Sequence, residues 1–176
     1  TLTSGGAITD SNTLTVAGTS TVTTDVADKA ITLNQLASTG NVSLNSSGTT
    51  GNAVVNNTTT ALGLATSTIG GTLTAETDNS ITVNGTVTSA GTTSVSASDD
   101  VVFAAAGALA SGNGNITVTA DDDNTPAGTG GAITMANGST INSGTGTITL
   151  STDEDVTPGR MPPTKATANA HAPTSD

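Results

Sequence analysis

One phrase keeps returning in this chain. Residues 73–78 read Leu-Thr-Ala-Glu-Thr-Asp, and the same succession of apolar, hydroxyl, small and acidic residues recurs at 95–100, 118–123 and 150–155. Carried back to the start, the phrase aligns a column of aliphatic residues: Leu2, Val22, Leu44, Leu73, Val95, Val118 and Leu150. The steps between them are 20, 22, 29, 22, 23 and 32 residues. A period of this size marks units that stack on their neighbours and do not close round one centre. The two long steps read as loop insertions, the last carrying the acidic, glycine-rich run at 121–131.

Two further columns lie between members of the first. Ile8, Ile31, Ile81, Val101, Ile133 and Val156 head one, with Val54 or Val55 filling its third turn. Leu14, Leu36, Val87, Leu109 and Ile141 head the other, with Leu62 or Leu64 in the gap. Each repeat is then three brief strands separated by Gly, Asn and Ser turns. In Ile116–Thr119 the aliphatic side chains point to one side of the strand and the threonines to the other. With the aliphatic side inward, successive turns stack through parallel backbone pairing at ~4.8 Å per turn, giving a rod ~29 Å long over six steps. The predicted fold is all-β, a right-handed three-sided parallel β-helix (β-solenoid) of about six to seven coils. It occupies residues 1–156, and winding follows the usual hand of parallel crossovers. An antiparallel sandwich would also have short strands at close spacing, but it does not require three columns to keep phase. Residues 157–176 hold four of the five prolines and form a separate irregular tail or linker, because proline donates nothing to a strand ladder.

The composition suits a narrow interior. There is one Phe, no Trp or Tyr, and 40 Thr beside 21 Gly, so the core must be built from Val, Ile, Leu and Ala. Thr favours strands and Gly favours turns. Without cysteine, no disulfide supports the fold. The longest low-polarity run, residues 101–110, is too short to span a bilayer as a helix. The chain opens inside a strand-like phrase without an initiating Met, which suggests an excised or processed piece of a longer protein.

Charge narrows the partners. A net −11, with Lys29, Arg160 and Lys165 as the only basic residues, repels phosphate backbones, so neither nucleic acid nor an anionic membrane is expected. The single His171 and two of the three cations lie in the tail, and no aromatic platform exists to stack a sugar. The abundant hydroxyls have no base beside them, so no catalytic residue is assigned and the chain is read as a non-enzyme.

Twelve of the fourteen acidic residues gather after the first strand of successive turns: Asp25, Asp28, Glu76, Asp78, Asp99, Asp100, Asp121, Asp122, Asp123, Asp153, Glu154 and Asp155. Carboxylates stacked at ~4.8 Å repel by ~0.9 kcal/mol in water. A hard cation with oxygen ligands, Ca²⁺ above all, would relieve that repulsion. Glu76, Asp78, Asp99, Asp100, Asp121, Asp122, Asp123, Asp153, Glu154 and Asp155 are therefore candidate metal ligands, although no EF-hand or GGxGxD loop is present. No cofactor is required. Hydroxyl residues suggest a second surface. Thr1, Thr21, Ser43, Thr72, Ser94, Thr117 and Thr149 form one outward rank, and Thr3, Thr23, Asn45, Thr74, Ser96, Thr119 and Ser151 another. A flat double rank of threonines is what ice-binding solenoids use, although Ser and Asn interrupt both.

The stretches at 84–123 and 130–150, with their Thr-rich strands, "GGAITM" return and acidic corners, resemble the repetitive β-solenoid shafts of giant bacterial surface proteins of the filamentous-haemagglutinin-like and autotransporter-passenger kind. The likeness runs over about residues 1–156. The NPNG and NPNL motifs of the secretion module do not occur, so it is the shaft that is resembled. What the resemblance implies is a secreted or cell-surface bacterial location and a role in adhesion or spacing. The partners would be a host or cell-surface receptor, the rest of a longer chain, or further copies docked at the open solenoid ends into a filament.

Overall fold

In the computed structural model, strands end where Gly, Asn, Asp, Ser or Ala interrupts the alternation of aliphatic and hydroxyl residues. The structure describes residues 1–58, 60–121 and 131–152, together with the strand backbone at 156–157 and 166–170. None of these lies in a helix. The strands of the first turns are β1 (Leu2–Ser4), β2 (Ile8–Thr9), β3 (Leu14–Val16), β4 (Ser20–Thr24), β5 (Ile31–Ser38), β6 (Asn41–Asn45) and β7 (Ala53–Asn57). The next are β8 (Leu62–Leu64), β9 (Ser67–Ile69), β10 (Leu73–Thr77), β11 (Ile81–Val83), β12 (Thr86–Ser89) and β13 (Thr93–Ala97). There follow β14 (Val101–Phe103), β15 (Ala108–Ser111), β16 (Ile116–Ala120), β17 (Ile133–Met135), β18 (Thr140–Asn142), β19 (Ile148–Thr152), β20 (Val156–Thr157) and β21 (Ala166–Ala170).

Every pairing among them is parallel, each strand lying on its counterpart one turn away. The molecule is a parallel β-solenoid, with a regular section of about five turns between β7 and β19. One sheet runs β2-β5-β7-β10-β13-β16-β19-β21, with β3 also seated on β5. The other begins β1-β4-β6 and divides at β6 into two ladders, β8-β11-β14-β17-β20 and β9-β12-β15-β18. Inward residues from Ile8 to Leu150 form one continuous apolar cluster. Its largest member, Phe103, is fully buried between Val83 and Met135 in the adjoining turns.

The two divisions have a residue-level cause. In β5, Leu33 pairs with Val55 but Leu36 pairs with Asn57, so Asn34 and Gln35 form a bulge. That bulge lies beneath the corner that separates β2 from β3. In β6 the opposite happens: Val42 pairs with Leu64 and Asn45 with Thr68, which puts one extra residue into the later turn. The extra residue lies at Ala65–Thr66, between β8 and β9. Later turns keep the corner with Asn84–Gly85, Ala104–Gly107 and Ala136–Ser139. Gly107 closes back on Ala104 and Ser139 on Ala136, with N–H to O distances of 2.7 and 3.0 Å.

This geometry corrects the three columns. Leu2, Val22 and Leu44 do superpose, but in the divided sheet. Leu73, Val95, Val118 and Leu150 belong to the other sheet. The next turn beyond Leu44 is reached at Ser67, whose hydroxyl accepts the Leu44 N–H at 3.0 Å. Nor does Leu73 lie on Val95. It pairs with Ala53 and Thr93, while Val95 pairs with Ala75 and Val118. Ile8 and Ile31 likewise lead to Ala53, whereas Ile81, Val101, Ile133 and Val156 continue from Leu62. The 29-residue step from Leu44 to Leu73 is thus a change of sheet and not an insertion within one column. The 32-residue step is as expected, since Ile116 and Ile148 are partners. Within 157–176, the backbone of Ala166–Ala170 pairs with β19, so the ladder gains one strand past the first prolines.

Candidate functional site: the acidic corner and the turn-to-turn latches

The acidic corner is less uniform than the sequence suggests. Glu76 stands on β10 with its side chain outward, beside Ser96 of the next turn and within 3.5 Å of the Asn56 amide of the previous one. Asp78 is exposed in the turn that follows β10. The Asp99 N–H meets the Asn79 carbonyl at 3.3 Å, and the Asp100 carbonyl accepts the Ile81 N–H at 2.9 Å. Asp99 and Asp100 therefore stack on Asn79 and Ser80, not on Asp78. Asp121 does follow Asp99 directly, its N–H donating to the Asp99 carbonyl at 3.2 Å. Asp122, Asp123, Asp153, Glu154 and Asp155 lie outside the described residues. Among the described residues, no three ligating side chains converge in a way that could hold a metal ion.

What the carboxylates visibly do is join turns. Asp10 accepts the Asn34 N–H at 2.9 Å on one oxygen and the Gln35 N–H at 2.7 Å on the other, closing the β5 bulge. One Asp28 oxygen accepts both the N–H and the hydroxyl of Thr50, at 3.0 and 3.1 Å. Asp100 accepts the Ala132 N–H at 3.0 Å. Asparagines perform the same task elsewhere: Asn52 accepts from the Thr72 N–H at 2.8 Å and Asn115 from the Thr147 N–H at 2.9 Å. Asn113, at φ +72°, accepts the N–H and the hydroxyl of Thr145 at 3.1 and 3.2 Å. In each case an Asx oxygen in one turn satisfies a corner N–H in the next that has no ladder partner. The Thr50 N–H, then the Thr50 hydroxyl, hold the Asp28 carboxyl below its ordinary value; Lys29 adds a smaller pull and desolvation opposes them.

Sequence reasoning placed Asp28 at the corner but missed Asp10, Asn52, Asn113 and Asn115 as latches. Asn52 and Asn115 each stand one residue before a strand, level with the Thr that precedes the partner strand. That position was the available signal. Of the predicted hydroxyl ranks, the first three members of each lie on the divided sheet and the rest on the other. Glu76 and Val54 also interrupt the later ranks. On the divided sheet, a different set stands out. Thr68 and Thr88 are exposed and in register, and exposed Thr66 and Thr86 precede them by two residues. A shallow, open groove of about 570 Å³ runs along a corner over Gly48, Gly70, Ala90 and Gly112, and no titratable side chain lines it. Among the described residues no helix is long and apolar enough to cross a membrane.

These features define a stacked repeat protein in which Asp and Asn side chains at the corners join one turn to the next. The repeats of unknown function (DUF5649) match at residues 1–45 and again at 50–112, together more than half of the chain, and the chain belongs to that family. No curated protein and no solved structure matches it.

Proposed function

We propose that this chain is a structural and adhesive segment of a secreted or cell-surface bacterial protein, a stiff shaft without catalytic activity. The observation that carries the reading is the unbroken parallel ladder from β2 to β21, with one apolar interior beneath it. A ladder of this kind resists bending and shear along its whole length and offers long, repetitive outer faces. Three strand segments per turn in the regular section, as in β11, β12 and β13, support a three-sided cross-section of six to seven coils. Right-handed winding follows from the strong preference of parallel crossovers. Apolar side chains of the first turn, Leu2, Leu14 and Val16, remain partly or wholly exposed at one end. They suit stacking against a further turn, supplied by a longer chain or by another copy. Electron microscopy of the purified chain tests this. Rods or filaments of uniform ~1–2 nm thickness are expected, and compact particles would overturn the shaft reading. Binding to host-cell surfaces, tested on the same material, addresses adhesion separately.

A second reading, ice binding, is favoured by the exposed pairs Thr66/Thr68 and Thr86/Thr88 on consecutive turns. In the following turn the pair becomes Ala108 and Ala110, which limits the array. Thermal hysteresis of the pure protein is the discriminating measurement, and its absence removes this reading.

A further inference from the structure

We propose that, among the described residues, the first turns of the solenoid are latched by carboxylates and the later turns chiefly by carboxamides, so that strong acid opens the molecule from the β1 side while β10–β19 stay closed. The distinction is chemical. Asp10 and Asp28 fasten the turns that meet at Asn34, Gln35 and Thr50. Asn52, Asn113 and Asn115 fasten Thr72, Thr145 and Thr147 in the same manner. Carboxylate and carboxamide oxygens both accept an N–H, but only the carboxylate changes on protonation.

At Asp10 both oxygens are engaged. A neutral carboxyl keeps one acceptor and turns the other oxygen into a hydroxyl, a donor facing a donor, so protonation breaks one of the two bonds. At Asp28 a single oxygen takes both bonds from Thr50. Protonation of the other oxygen there removes the charge that strengthens them. Around Asp10 the first turn and the bulge supply Leu2, Ile8, Ser11, Asn12, Leu14 and Leu33, none of them titratable. Asp28 has Lys29 beside it and Asp25 three residues earlier, and the 47–50 segment against it is uncharged.

The sign is fixed by Asp28. Its folded value is lowered from 3.8, so the latch contributes fully above 3.8 and is lost as pH falls through the lower, folded value. Local opening without global loss is available because each turn touches only its neighbours. Asp100 also accepts a corner N–H, from Ala132; this single bond weakens in acid while the Asn113 and Asn115 latches hold the same section.

Hydrogen exchange of the whole chain, followed residue by residue from neutral pH to about 2.5 and corrected for intrinsic rates, tests the proposal. At about pH 2.5, relative to neutral pH, protection at Asn34, Gln35 and Thr50 is expected to fall about tenfold or more while the ladder at Ile116 and Ile148 holds. Asp28→Asn should keep Thr50 protected in acid. Asn115→Asp should make Thr147 newly acid-labile, which reads the same chemistry at another corner if the Asp28 variant folds poorly. A uniform loss along the chain, no loss in the first turns, or a Thr147 amide indifferent to pH in Asn115→Asp would each overturn the proposal.

Discussion

The two stretches that match the repeat family, 1–45 and 50–112, use the same vocabulary of strands and turns yet divide their turns differently. In the first, the β2–β5 sheet carries the corner, as separate β2 and β3, and the β1-β4-β6 sheet is continuous. In the second the roles are exchanged: β7, β10 and β13 run straight, and the other sheet is split into β8 and β9, then β11 and β12. The exchange requires only a bulge in β5 and one extra residue at Ala65–Thr66. A solenoid therefore sets its cross-section turn by turn. Parallel pairing asks each strand to find a neighbour but does not dictate where the chain bends, so a single residue can move a corner from one sheet to the other.

The exchange is held by Asn57, which is fully buried opposite Leu36. Its Oδ1 accepts the Ser38 N–H at 2.8 Å, and its Nδ2 lies at 2.9–3.0 Å from the carbonyls of Ser38, Thr60 and Ala61. One amide thus serves the turn after β5 and the turn before β8. Replacement by Leu orphans the Ser38 N–H in a fully buried setting and removes the bonds to the Thr60 and Ala61 carbonyls, and we expect a loss of about 3–5 kcal/mol in denaturant unfolding. A loss below about 1 kcal/mol would mean that the two cross-sections join without this residue.

Core truncation separates the regions next. Leu109 is fully buried between Val87 and Ile141, so Leu109→Ala is expected to cost about 2–4 kcal/mol. Leu14 packs against the same cluster but is only half-buried in the first turn. There the same change should cost about 1 kcal/mol. Equal costs by equilibrium unfolding would show that the first turn is as tightly enclosed as the one that holds Leu109.

How much of this was legible follows from which residues point inward. Where inward positions are Ile, Leu or Val, as along Ile116/Ile148 and Val118/Leu150, the register could be read directly, and with it the parallel stack. Where they are small or polar, the column faded. Ala53, Ala75 and Thr93 occupy inward places in the ladder, and their short or polar side chains carry no aliphatic signal. The aliphatic pattern alone sets Val95 level with Leu73, two residues from its true place, and a slip of two in a strand preserves the facing. The same two-residue slip displaces the acidic corner. Alignment of 73–78 with 95–100 sets Asp78 level with Asp100, where the ladder places Ser80. Latches such as Asp10 were illegible because their partners are backbone N–H groups, which carry no sequence signature.

The Thr93 position gives a sharper check on the register. Its side chain is buried, and its hydroxyl lies 2.6 Å from that of Ser89, which also donates to the Gly91 carbonyl at 2.9 Å. Thr93→Val preserves shape and leaves Ser89 with its carbonyl partner. We expect a stability change within about 1 kcal/mol of zero, measured by denaturant midpoint. A large loss would place Thr93 outside the aliphatic column.

The smallest effect concerns cations, and it again sets the regions apart. Asp10 and Asp28 in the first turns accept backbone N–H donors, whereas Asp99 and Asp121 occupy neighbouring corners joined through their backbones. Relief of repulsion within one such pair is worth at most ~0.9 kcal/mol. In a chain of this length that corresponds to a rise of no more than about 2–4 °C in Tm. Millimolar Ca²⁺ at low ionic strength should produce a rise within that bound, and Asp99→Asn should abolish it, while Asp10→Asn should leave it intact. Melts that coincide in Ca²⁺ and in EDTA would remove calcium from the account and leave ordinary salt screening to manage the corner.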